Sequence, residues 1–91
     1  MIDEIKLGQA QDRGVRASEL LNSEILKEAF DYLEKEYLAA WRITPLRDID
    51  GRERLWQAVN ILGKVQEQLG KWAAHGRIAT QDLANIKYLE R

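Results

Sequence analysis

The sequence predicts an all-α fold: an antiparallel hairpin of two long helices, about residues 24–42 and 51–75, with a short helix at each end. Three observations predict it. Apolar side chains recur at spacings of three and four from Leu26 to Ala40 and again from Leu55 to Trp72. The single proline, Pro45, falls between the two periodic stretches. A strong helix-start pattern, Asp50-Gly51-Arg52-Glu53, follows that proline.

Residues 1–8 read as a loose arm, with Ile2, Ile5 and Leu7 as anchors and Gly8 as a break. A short helix is expected over 9–21, interrupted or delayed by Gly14, with Val15, Leu20 and Leu21 its apolar content beyond alanine. Asn22-Ser23 then offers an N-cap, because a short side-chain oxygen accepts from the unpaired amides of the following turn. In the first long helix Leu26, Phe30 or Ala29, Leu33, Tyr37 and Ala40 form one stripe, while Glu28, Tyr32 and Glu36 fall on other faces. Thr44-Pro45 ends it, since proline disfavours the α conformation in the residue before it and has no N–H to donate.

Residues 43–49 read as a loop. In the box that follows, Asp50 caps the amide of Glu53 while Glu53 reaches back to the amide of Asp50. Asp48 and Asp50 also place negative charge at the positive end of the helix dipole. Leu55, Val59, Leu62, Val65, Leu69 and Trp72 make a near-heptad seam for packing against the preceding helix. A helix over 51–75 is roughly 35–40 Å long. Gly63 and Gly70 lie on one side of it, suited either to close approach of another helix or to tolerance on a solvated face. Gly76 suits a left-handed C-terminal residue, and Thr80 caps a last helix over 81–89 carrying Leu83, Ile86 and Leu89. No internal repeat and no low-complexity tract is apparent.

Ninety-one residues suffice for one domain, and a core this small has limited stabilising capacity. Cysteine is absent, so disulfides and thiolate metal sites cannot supplement it; that absence fits a reducing cytoplasm. Helix packing or oligomerisation is left to stabilise the chain. Fourteen basic and fifteen acidic residues give a net charge of −1, with the signs interspersed, which disfavours nucleic-acid binding by a monomer. No apolar run approaches membrane-spanning length, and Met1-Ile2-Asp3-Glu4 lacks the basic-then-apolar pattern of a signal peptide.

Nothing in the chain has the pattern of a catalytic, cofactor or metal site. The lone histidine, His75, has no nucleophile or carboxylate at a telling spacing, and a cation near a helix C-terminus accounts for it. One histidine and no cysteine leave a zinc site without its usual ligands. Asp48, Asp50 and Glu53 lack the alternation of a calcium loop, and capping or pairing with Arg47, Arg52 or Arg54 explains them. The aromatic content is more telling. Trp41 and Trp56 flank the turn, Trp72 lies further along, and a two-helix hairpin has one shared face. Either the terminal helices cover the surplus or another subunit does.

Three stretches carry a family resemblance: Glu28-Ala29-Phe30-Asp31-Tyr32-Leu33, Trp41-Arg42-Ile43-Thr44-Pro45 and Asp50-Gly51-Arg52-Glu53-Arg54-Leu55-Trp56. Together with Val59, Leu62, Val65, Leu69 and Gly76-Arg77-Ile78-Ala79, they resemble small helical proteins encoded in tailed-bacteriophage and prophage genomes. The resemblance covers most of residues 14–80 and implies phage origin, without an assigned activity. It marks the Trp41–Trp56 segment as an interaction surface, with Trp41, Arg42, Thr44, Asp50, Arg52, Glu53 and Trp56 as its candidates and Trp72 beyond it. The same residues also serve to lock the turn, the tryptophans packing together and Arg42 pairing with Glu53 or Asp50.

Three functions follow as expectations. The first is a non-enzymatic virion or head-assembly component that self-associates, in the host cytoplasm or the virion. The second is an antagonist of host defence that binds a host protein or a signalling nucleotide. The third is a small-terminase-like packaging subunit, in which Arg13, Arg16, Arg42, Arg47, Arg52 and Arg54 form a basic ring on assembly.

Overall fold

The computed structural model describes residues 3–89, and every described element is helical: α1 (Glu4–Leu21), α2 (Glu24–Ile43) and α3 (Ile49–Leu89). The all-α expectation holds, but the hairpin of 24–42 and 51–75 does not describe the chain. Its second arm is a single helix of 41 residues, and α2 pairs with only the first part of it. Two compact units result. One comprises α1 and the stretch of α3 from Gln68 onward; the other is Ser23–Glu67.

The arm expected over 1–8 is instead mostly helix. The Asp3 carboxylate accepts from the amides of Ile5 and Lys6 at 3.0 and 3.2 Å and starts α1 there, with Gly8 inside it. Ile5 is exposed, Leu7 half-buried, and Ile2 lies outside the described residues. Gly14 neither interrupts nor delays this helix.

In the α1 unit the buried residues are Gly14, Ala17, Ala73, Gly76 and Ala79, all small. A methyl group at Gly14 would sit 2.6 Å from the Gly76 Cα and 3.0 Å from the Trp72 carbonyl oxygen. One at Gly76 would sit 2.6 Å from the Gly14 Cα and 3.1 Å from the Ala10 carbonyl oxygen. Backbone therefore meets backbone, and branched side chains are forced outward. Of the helix's expected apolar content, Val15 and Leu20 are exposed and Leu21 is half-buried.

Gly76 does not end a helix. No described glycine has a positive φ, so the left-handed cap never forms. Thr80 caps nothing either; its hydroxyl donates to the Gly76 carbonyl at 2.9 Å within the continuous helix. The packing that α1 supplies here outweighs the roughly 1 kcal/mol of helix propensity that a glycine costs. His75 accordingly lies mid-helix, exposed, rather than at a C-terminus. Leu69 and Trp72, expected to continue the seam against α2, line a cleft with Arg13, Arg16, Ala17 and Leu20 of α1. Helix lengths explain the change of partner: α2 has 20 residues, and the part of α3 within its unit, 49–67, is of matching length.

The second unit follows its periodicity up to Leu62, but Val65, expected to continue the seam, is 44% exposed. Leu26, Phe30, Leu33, Tyr37 and Ala40 are each half-buried along one stripe of α2, and Leu55, Ala58, Val59 and Leu62 are half-buried on α3. The Ser23 hydroxyl accepts from the Leu26 amide at 3.3 Å and starts α2. Thr44 ends it in an extended conformation, as its place before proline requires, with its hydroxyl donating to the Ala40 carbonyl at 2.7 Å. Among the described residues no helix is long and apolar enough to cross a membrane.

The glycines separate two effects that share one substitution. Gly63→Ala meets nothing within 4 Å and is expected to stabilise the protein by about 1 kcal/mol through helix propensity. Gly14→Ala brings the same propensity gain into a backbone contact, and overpacking of about 1–3 kcal/mol is expected to reverse the sign. Thermal unfolding followed by circular dichroism measures both. A Gly14→Ala protein as stable as its parent would rule out the close crossing.

Candidate interaction surface

The turn between α2 and α3 is built by three local devices. The Asp48 carboxylate accepts from the Gly51 amide at 3.0 Å, and the Asp48 carbonyl from the Arg52 amide at 3.1 Å. Asp48 is thus the cap, and the expected Asp50–Glu53 box is displaced by two residues. Aspartate at either position caps well, and the earlier one adds a further half turn of helix. Asp50 then lies in the first turn, where its charge favours the dipole.

The third device is Arg52. Its guanidinium donates to the carbonyls of Trp41 and Thr44 at 3.3 and 3.1 Å at the C-terminal end of α2, where the Trp41 carbonyl also accepts from the Thr44 amide at 3.3 Å. The same group lies 4.1 Å from the centroid of the Trp41 ring. One side chain thereby caps one helix from the first turn of the next, using both the planar fork and the cationic face that distinguish arginine from lysine. The sequence suggested Arg42 pairing with Glu53 or Asp50; Arg42 is exposed and no such pair forms. A signal for Arg52 was available: a cation one turn into α3 is carried by the short turn to the negative end of α2.

Around this clamp the apolar side chains stay on the outside. Trp41, Leu46, Ile49, Arg52, Glu53 and Trp56 line a cleft of about 300 Å³. Leu38, Trp41, Leu55, Trp56 and Val59 line a smaller one of about 90 Å³. The two share Trp41 and Trp56, so the tryptophans that flank the turn are brought together on one patch. Leu46 is 83% exposed, Ile49 73%, Trp56 55% and Trp41 37%. Those four side chains line one cleft, and Leu38, 38% exposed, joins Trp41 and Trp56 in the other, so exposed apolar side chains are grouped at the turn and not scattered singly.

The remaining candidates are placed as follows. Thr44 is part of the α2 cap, Glu53 is on the rim of the larger cleft, and Asp50 is exposed beside it. Trp72 belongs to the other unit, where the Arg13 guanidinium lies 5.4 Å from its ring centroid. Arg16 pairs with Asp12 at 2.9 Å, both exposed. Charged residues close to the turn in sequence are of both signs and exposed: Arg42, Arg47 and Arg54 alongside Asp48, Asp50 and Glu53, of which Glu53 lines the larger cleft.

Arg52→Ala is expected to lower stability by about 1–2 kcal/mol, because two carbonyls lose a charged donor and Trp41 loses its cation. Arg52→Lys recovers part of that loss, since a point charge cannot reproduce the fork. Urea unfolding read by tryptophan fluorescence distinguishes the two. An unchanged midpoint for Arg52→Ala would show that the clamp does not hold the turn. Comparison of the chain with models of known protein families, with curated proteins and with solved structures finds no match.

Proposed function

We propose that this chain is a non-enzymatic building block that self-associates through the apolar patch at the α2–α3 turn, as a small phage-type virion or head-assembly component. The observation that carries the reading is the patch itself: Leu46, Ile49 and Trp56 are more than half exposed on one contiguous surface. The phage assignment rests on the resemblance of the Trp41–Pro45 and Asp50–Trp56 segments.

A second copy suits this patch better than a charged partner does. A two-fold interface sets the same surface against itself, so its rim must be self-complementary. Exposed charges of both signs near the turn, Arg42, Arg47 and Arg54 with Asp48, Asp50 and Glu53, are compatible with that requirement, whereas a nucleic acid would meet three carboxylates. The arginines expected to ring an assembly are partly engaged already: Arg13 over Trp72, Arg16 with Asp12 and Arg52 on the α2 cap. The packaging-subunit reading is weaker for it.

Sedimentation equilibrium tests the reading. Reversible association at high-micromolar concentration is expected, weakened by Leu46→Asp on the order of 30-fold, the equivalent of about 2 kcal/mol for a central contact. Leu46 is an exposed turn residue, so the substitution leaves folding intact. A parent protein that remains monomeric, or a Leu46→Asp protein that associates equally well, overturns it.

A further inference from the structure

The crossing of α1 with α3 brings together two copies of one sequence pattern, which the linear reading passed over. Residues 7–21, LGQAQDRGVRASELL, align without gaps on residues 69–83, LGKWAAHGRIATQDL. Leu7, Gly8, Gly14, Ala17 and Leu21 recur as Leu69, Gly70, Gly76, Ala79 and Leu83, and Ser18-Glu19 recurs as Thr80-Gln81. Burial repeats with the letters. Positions 7, 8, 10, 11, 14, 17 and 21 are buried or half-buried, as are 69, 70, 72, 73, 76, 79 and 83, while burial differs at the aligned pairs 12/74, 18/80 and 20/82.

The contact geometry is reciprocal. Gly14 faces the Gly76 Cα and the carbonyl of Trp72; Gly76 faces the Gly14 Cα and the carbonyl of Ala10, and Ala10 is the repeat equivalent of Trp72. The two segments are thus related by a local two-fold axis through the Gly14–Gly76 contact, the symmetry of a homodimer interface formed within one chain. What covers the small-residue face of α1 is a repeat of that face, so the face accepts a segment from a second copy.

We infer that α1 exchanges between copies: α1 of one chain seats on residues 68–89 of another, and the reverse, reproducing the same crossing between molecules. Where the repeats differ, they favour this pairing over α1 on α1. Arg13 lies over Trp72, and the α1 equivalent of Trp72 is Ala10, which offers no ring. Only two residues outside helices, Asn22 and Ser23, tie α1 to α2, and short connections of this kind promote exchange of a terminal element. A closed chain holds its own α1 at an effective concentration of about millimolar, so exchange needs copies held comparably close. To that extent the inference rests on association through the turn patch.

Isotope-filtered NMR tests it. Carbon-13-labelled and unlabelled full-length chains are mixed in equal amounts, unfolded, refolded together and concentrated until sedimentation shows association. Ala17 and Trp72 line one cleft, so cross-peaks are expected from the Ala17 methyl of labelled chains to the Trp72 ring of unlabelled ones. If the associated sample gives Ala17–Trp72 cross-peaks only within a chain, exchange is overturned while association stands. Cross-peaks between Ala17 and Gln11 of different chains identify α1-on-α1 pairing and overturn it equally. A sample that stays monomeric and shows no interchain cross-peak overturns both readings.

Discussion

The contact between the backbones of Gly14 and Gly76 governs the architecture of the α1 unit. With a would-be Cβ on either residue only 2.6 Å from the opposite Cα, there is no room for a side chain on either helix at the crossing. The neighbouring inward positions are confined to Ala17, Ala73 and Ala79, and the unit is held by many short contacts instead of a few large side chains. Such an interface tolerates little change of volume, because close-packed backbone cannot collapse to fit. The crossing also decides the fate of α3. A helix that is needed as a packing surface through Gly76 cannot end there.

The α2 unit is stabilised differently. Its facing residues, Phe30, Leu33, Tyr37, Leu55, Val59 and Leu62, are large, and none is fully buried, because two helices share one face and leave the flanks open. Directional contacts at the turn make up part of the difference. Asp48 starts α3 and Arg52 returns from α3 to close α2, so a five-residue connection is fixed at both ends by side chains of its own neighbourhood. The apolar patch adjoins the same arrangement. Arg52 occupies the end of α2, and Leu46 and Ile49 line the exposed cleft beside it with Trp41 and Trp56.

Among the described residues, neither unit buries a large side chain completely. A small all-helical chain without disulfides or metal ligands has limited means of burying apolar area by itself. One unit presents branched and aromatic side chains outward; the other closes on a face of small residues supplied by the same chain.

The sequence by itself determined the helices where one signal was unopposed. The stripe of α2, its Ser23 start and its Thr44-Pro45 end are all decided within a few residues, so local physics sufficed. It also brought Trp41 and Trp56 to one turn, since a short connection leaves them little choice. Tertiary structure decided the rest. Gly8, Gly14 and Gly76 read locally as breaks because glycine is a poor helix residue, and they are helical because another helix passes against Gly14 and Gly76. Asp48 rather than Asp50 caps α3, a choice between two adequate caps that local sequence does not rank. The division of α3 between two partners was not legible either, because the seam from Leu55 to Trp72 is continuous while the helices that cover it are not. Periodicity reports which face of a helix is covered; only the fold settles by what.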